Sequence, residues 1–282
     1  MAVQASDVKK LREKTGAGML DCKNALSEAD GDFKKAEKIL KERGIAAASK
    51  RSARATNEGR IFSNVKKKRG GLVELACETD FVARNEDFIT FGNKIVNDAV
   101  ESGSEDITPA IEEEVKELIS TMKENIKVRR IKIIESADNE LIVDYIHGEG
   151  RIGVLIKLKA EDSSALEKEE VKNFAFDCAL HVAAFNPMYL SREVVDKEYL
   201  EEQEQIFTKQ AEQLGKPENV MQGIVKGKLN KHFSEICLLN QGFVKEEKKS
   251  VEKIMDELSK SVGTKLSITD YAYFSVGEEL SS

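Results

Sequence analysis

The amino-acid sequence predicts an α+β fold: a three-helix N-terminal stretch, two related α+β subdomains with antiparallel sheets, and an antiparallel helical (coiled-coil) hairpin inserted into the second of them. Three observations lead there. Residues 6–43 place apolar side chains at helical spacing. Residues 60–77 and 141–156 switch to short β-branched or apolar runs joined by charged turns. The later run echoes the earlier one, since Val143, Gly153, Val154, Leu155 and Asp162 each fall 82 residues after Ile61, Gly71, Leu72, Val73 and Asp80.

The elements follow in order. Ser6 or Asp7 is expected to cap a first helix carrying Val8 and Leu11, before the breaker Thr15-Gly16-Ala17-Gly18. A second helix spaces Met19, Cys22, Ala25, Leu26 and Ala29 along one face, and Asp30-Gly31-Asp32 separates it from a third. The third carries Phe33, Ala36, Ile39 and Leu40 and is expected to stop at Gly44. Three helices in about forty residues make a core that is small for standing alone, which suits a docking device. Residues 45–60 are rich in Ala, Ser and basic residues and read as a linker, helical at most in the Ala-rich first half.

Arg60 to Val65 and Gly71 to Cys77 then form a hairpin across the charged turn Lys66 to Gly70. A helix from Asn85 onward carries Phe88, Phe91, Ile95, Val96 and Ala99, and a second, after Pro109, is read with a stripe from Ile111 to Ile126. The second hairpin, Leu141 to Tyr145 and Arg151 to Ile156, is followed by a helix bearing Val171, Phe174, Ala175, Cys178 and Val182 that ends at Asn186-Pro187. Between residues 191 and 236 an apolar stripe of Val195, Tyr199, Ile206 and Leu214 turns at Gly215-Lys216-Pro217 and returns through Met221, Val225, Leu229 and Phe233. Such arms of about 20 residues reach roughly 30 Å. Leu266 to Val276 alternates and returns as a strand of the second sheet. The expected division is 1–55 for the three-helix domain and basic linker, 56–139 for a dimerisation-like N-subdomain, and 140–282 for a C-subdomain with the insertion at about 191–236.

Composition narrows the chemistry. The chain is 40% hydrophobic and 34% charged, without a run near the ~18 apolar residues of a membrane span and without a signal-like core in MAVQASDVKK, so it is expected to stay in the cytosol. Cys22, Cys77, Cys178 and Cys237 are scattered and form no CxxC pair, which fits reduced, buried thiols. His147, His181 and His232 lack a second His or Cys at i+3 or i+4. No Walker loop or GxSxG occurs, and the GxGxxG spacing of Gly148, Gly150 and Gly153 falls in the turn of the second hairpin and does not open a helix, so neither enzyme chemistry nor a cofactor is expected. The net charge of −7 is uneven: residues 1–70 hold 18 Lys/Arg against 9 Asp/Glu, which leaves 26 against 42 for the remainder. A basic end beside an acidic body favours a protein partner over a phosphate backbone. The rival reading is RNA binding through the basic segment 50–69, where eight Lys/Arg accompany one Glu but Phe62 alone could stack on a base.

The segment Glu78-Thr79-Asp80-Phe81-Val82-Ala83-Arg84-Asn85 lies at a strand end just before a helix. It reads either as core, with Thr79 or Asp80 capping, or as an exposed apolar wedge beside an acid, suited to prying at another protein. Together with Leu11 to Lys23 it closely resembles the two signatures of the bacterial elongation factor Ts family. The likeness extends through Glu124 to Arg130, His147-Gly148, Arg151 to Leu155, His181 to Ala184 and the Gly215-Lys216-Pro217 turn, in order over almost the whole chain. Met19-Leu20 stands where the family commonly has Met-Met, and Gln241-Gly242-Phe243-Val244 where it has Gln-Pro-Phe-Val. Some members carry a C-terminal helix beyond the region of Val276 to Glu279, whereas this sequence stops at Ser282. The resemblance implies a ubiquitin-associated (UBA)-like three-helix domain and an exchange factor for the GTPase elongation factor Tu, in its GDP-bound and nucleotide-free forms, without covalent chemistry of its own. It assigns partner contact and magnesium dislocation to Thr79, Asp80, Phe81, Val82, Ala83 and Arg84, and docking to Arg12, Met19, Leu20 and His147.

Overall fold

The structure is a computed structural model that describes residues 3–215 and 217–280. Helices α1 (Ala5–Thr15), α2 (Met19–Glu28) and α3 (Phe33–Arg51) close around Leu11, Cys22, Ala25, Leu26, Ala36 and Leu40. α1 starts from Gln4, ahead of the expected Ser6 or Asp7 cap, and Asp7 lies instead in its first turn, where the helix dipole favours an acid. Asp32 caps α3 by accepting from the Lys35 amide at 3.1 Å. α3 does not stop at Gly44. A Cβ there would lie 2.2 Å from the Ser120 hydroxyl, so this glycine serves close approach rather than termination, and the alanines after it sustain the helix to Arg51. Ser120 belongs to α6 (Pro109–Met122), to which Lys41 also reaches at 2.6 Å from Glu117. The three-helix module is therefore seated on α6, with Ala48 continuing into the core beneath.

Two three-stranded antiparallel sheets form the centre. The first has the order β1 (Glu58–Lys66), β2 (Arg69–Cys77), β3 (Ile126–Glu135); the second has β4 (Glu140–His147), β5 (Ile152–Ala160) and a last strand, Leu266–Ser275. Glu58 pairs with Cys77 and Ile61 with Glu74, while Glu140 pairs with Lys159 and Val143 with Ile156, which is one register repeated 82 residues later. The sheets stack face to face through Ile61, Leu72 and Ile134 against Ile142, Leu155 and Phe274. A one-turn helix, α4 (Asp80–Ala83), follows β2 and leads into α5 (Glu86–Ser102). The outer face of the first sheet packs Phe62, Val73 and Leu75 against Phe88 and Ile95 of α5. The outer face of the second packs Val154, Ile156 and Leu158 against Phe174 and Cys178 of α7 (Glu169–Phe185). Strands β2 and β5 are thus buried on both faces, which is why they read as continuous apolar runs.

Strand β3 is a correction to the sequence reading, which placed Ile126 on the α6 stripe. Lys123 takes a left-handed conformation (φ +64°) and ends α6, so the chain reverses and Ile126 opens a strand. A second correction concerns the hairpin of α8 (Lys197–Glu212) and α9 (Glu218–Ile236). Its α9 seam is Met221, Val225, Leu229 and Phe233 as expected, but Ile206 and Leu214 are exposed, and α8 turns Tyr199, Gln203, Phe207 and Ala211 inward. A four-residue step from Tyr199 selects those positions, and the polar Gln203 interrupted the apolar pattern. Lys216 of the expected turn lies outside the described residues. The chain then forms a small ribbon, β6 (Gly242–Phe243) and β7 (Glu246–Ser250), followed by α10 (Val251–Val262) and β8, the Leu266–Ser275 strand. Among the described residues, no helix is long and apolar enough to cross a membrane.

His181 is a buried structural histidine. Its Nδ1 accepts from the Val244 amide at 3.1 Å, so Nε2 carries the proton and donates to Gln241 Oε1 at 2.9 Å. Burial holds its pKa below the ordinary value. The unfolded chain takes up a proton near pH 6.5 that the folded chain resists, so this contribution is intact above that pH and declines as pH falls through it. Urea midpoints should fall between about pH 7.5 and 5.5, and His181→Gln should flatten the fall. Equal slopes in the two proteins would contradict this.

Candidate partner-docking site

The corner after β2 is built by two caps. Thr79 Oγ1 accepts from the Val82 amide at 3.5 Å to start α4, and Asn85 accepts from the Asp87 amide at 2.9 Å to start α5. Within the single turn between them, Val82 and Ala83 face the core that contains Leu75 and Phe88. Phe81 faces solvent and is 80% exposed, more than any other large apolar side chain among the described residues. The two sequence readings of this corner thus apply to different residues: Val82 and Ala83 are core and Thr79 caps, while Phe81 projects.

Beside Phe81, the half-exposed Asp80 carboxylate lies 3.4 Å from Arg84 Nη2, and Arg84 Nε lies 3.8 Å from Glu149. Glu149 sits at φ +55° in the tight turn Gly148–Gly150 that joins β4 to β5, immediately after His147. The tip of the first sheet and the turn of the second therefore share one end of the molecule. Exposed pairs of this kind contribute little stability, at about 0–1 kcal/mol. They do locate the two segments side by side. His147 is exposed, with Nδ1 2.9 Å from the Tyr145 hydroxyl, and Tyr145 stands edge-on to Phe176 at 5.7 Å between centroids. Phe176, missed in the sequence, is an exposed aromatic on the outer side of α7.

On the N-terminal module, Arg12 is exposed near the end of α1, and Met19 and Leu20 open α2 with 48% and 69% exposure. They follow the Gly16–Gly18 turn directly and leave an apolar spot that the module's own core does not cover. The basic segment behaves differently. Lys66 pairs with Glu101 and Lys68 with Asp138, each at 2.5 Å, while Arg69 pairs with Glu135 at 2.8 Å and Arg54 with Glu78 at 3.3 Å. Half of its eight cations are matched by the protein's own acids, which weakens the RNA reading.

Residues 78–278 match the family model described as Elongation factor TS. The elongation factor Ts of Borrelia hermsii is 52% identical over 278 residues, covering 98% of this chain and 100% of that protein. That of Treponema denticola is 46% identical over 277 residues, covering 98% and 99%. The chain belongs to the elongation factor Ts family. Within this elongation factor Ts family member, the matched stretch opens at Glu78, the residue preceding the corner, and closes at Glu278. Glu278 is one end of an ionic cluster that the sequence reading missed. Glu74, fully buried between the sheets, accepts from Arg129 and Arg130 at 2.7 Å each and from the Gly277 amide at 3.1 Å, and Arg130 continues to Glu278 at 2.8 Å. The available signal was one acid inside an apolar strand, Leu72-Val73-Glu74-Leu75, together with an unassigned Arg129-Arg130 pair.

Proposed function

We propose that this elongation factor Ts family member is a guanine nucleotide exchange factor for elongation factor Tu, promoting GDP release and exchange for GTP. The observation that carries the reading is Phe81, an exposed aromatic held beside an acid on a doubly capped corner. Residues 1–55 dock on the partner through Arg12, Met19 and Leu20. Residues 56–139 deliver Thr79 to Arg84 beside the partner's magnesium and phosphate site, and residues 140–282 hold a more distant surface through His147. The chain does no covalent chemistry of its own, and its place of work is the cytoplasm, where the partner acts.

A GTPase grips GDP through backbone amides and a magnesium ion bridging phosphate oxygens. Burying Phe81 against the partner gains about 1.5–3 kcal/mol, whereas a thousandfold faster release requires about 4 kcal/mol. One side chain is insufficient, so binding at the module and at the second sheet must supply the remainder by favouring the partner's loosened state. Reciprocity follows: nucleotide weakens this chain's binding by the same factor by which this chain weakens nucleotide.

The test is release of a fluorescent GDP from elongation factor Tu after rapid mixing with this chain. Acceleration that saturates with chain concentration is expected, and no acceleration would overturn the reading. Met19→Ala combined with Leu20→Ala should raise the half-saturating concentration about ten- to a hundredfold while leaving the saturated rate within about twofold, because these side chains dock without reaching the nucleotide. A lower saturated rate would place them in the release step instead.

A further inference from the structure

The segment Glu124 to Arg130 carries part of the family likeness, yet the exchange reading gives it no role. It leaves α6 through the left-handed Lys123 and enters β3, passing directly beneath the corner. There the Glu124 carboxylate receives both hydrogen-bond donors of Thr79. The amide reaches Oε2 at 3.0 Å and the hydroxyl reaches Oε1 at 2.8 Å. The carbonyl of Thr79 is occupied as well, by the Cys77 thiol at 3.1 Å. That thiol stays protonated, its pKa pushed up to about 12 by burial and by the neighbouring Glu124 charge. Asn125 extends the same support outward: its amide donates to Glu78 at 2.6 Å, and its side chain donates to the carbonyl oxygens of Ser52 and Arg54. The root of the corner and the exit of the N-terminal module are tied to one turn of chain.

We propose that Glu124 is a positioning residue for nucleotide exchange, holding the Asp80–Phe81 turn at its working angle through Thr79. The proposal rests on the exchange reading. A single helical turn has no cooperativity of its own, so its direction is set by its tertiary contacts, which are Val82 and Ala83 on the core and the grip on its N-cap, Thr79. Phe81 points away from the body of the protein and is 80% exposed, so little at its own ring fixes it. Charge-assisted bonds to both Thr79 donors supply that fixation at the one residue that also caps the turn. Loosening it leaves the ring able to touch the partner but spreads its approach over many directions, which lowers the rate of release more than it lowers binding.

The experiment measures release of fluorescent GDP from elongation factor Tu at increasing concentrations of full-length wild type, Phe81→Ala, Glu124→Ala and Glu124→Gln. Glu124→Ala is expected to lower the saturated rate about tenfold with a half-saturating concentration within about threefold of wild type. Glu124→Gln, whose amide can still accept from the Thr79 N–H and donate to its hydroxyl, is expected to recover most of that rate. The proposal is overturned by a wild-type saturated rate in Glu124→Ala, by a change confined to half-saturation, or by Glu124→Gln being as slow as the alanine variant. Absence of acceleration by the wild type removes the exchange reading and this role with it. Acceleration by wild type and Glu124→Ala alike, with loss in Phe81→Ala, removes the positioning role alone.

Discussion

Phe81→Ala is expected to slow the GDP release proposed for this chain ten- to a hundredfold, about the 1.5–3 kcal/mol that an aromatic side chain gains when it leaves water. The residue is 80% exposed and buries little of its ring on its own fold, so the substitution is expected to leave thermal unfolding nearly unchanged. That pairing of an intact fold with a slower reaction separates it from the neighbouring positions. Val82→Ala, one residue on, removes a side chain from the core beneath α4 and lowers stability. Phe81→Leu, which keeps apolar area but loses the flat ring, should fall between wild type and alanine. The measurement is rapid mixing with fluorescent GDP on elongation factor Tu beside a melting curve of each variant. Release at the wild-type rate in Phe81→Ala would remove the projecting ring from the mechanism.

Glu74→Ala has the largest expected effect on stability, a loss of about 3–5 kcal/mol. The carboxylate is fully buried and answers two guanidinium groups. Arg130 also lies 4.0 Å over the Phe274 ring and bonds the Ser275 carbonyl at 3.2 Å, while Arg129 bonds the Glu278 carbonyl at 2.7 Å. Deleting the acid leaves Arg129 without a carboxylate partner and Arg130 with Glu278 alone, and the penalty arises from those charges rather than from the lost bonds alone. A triple change of Glu74, Arg129 and Arg130 to methionine should cost far less than Glu74→Ala, because no charge is then stranded. Urea unfolding followed by circular dichroism reads both. A loss below about 1 kcal/mol for Glu74→Ala would show that solvent reaches the cluster.

The architecture was legible wherever periodicity was clean. The 82-residue echo between the hairpins carries directly into a shared strand register, since pairing is set by which residues face the core. Strand β3 escaped because Lys127, Arg129, Arg130 and Lys132 dilute its apolar pattern; two of these cations are partners of Glu74, which no local pattern reveals. Gly44 was misread because one sequence cannot distinguish a glycine that ends a helix from one that admits a neighbouring helix. At the candidate site, composition alone left Phe81 undecided between core and surface. Its exposure follows from a helix of one turn that Thr79 caps at its start and that runs at once into the capped start of α5, a geometry fixed in part by Glu124, 45 residues beyond Thr79 in the chain.

The direct stacking of the two sheets has a mechanical consequence. Gly153 admits Ile61 so closely that a Cβ would sit 2.4 Å from its Cγ2, and Gly70 admits Ile142 in the same way. An interior packed at crystal-like density is nearly incompressible. The span from the Phe81 tip to the His147 edge is accordingly that of a stiff caliper, with no hinge at its middle. In any engagement that uses both points, the distance between them is set by this chain.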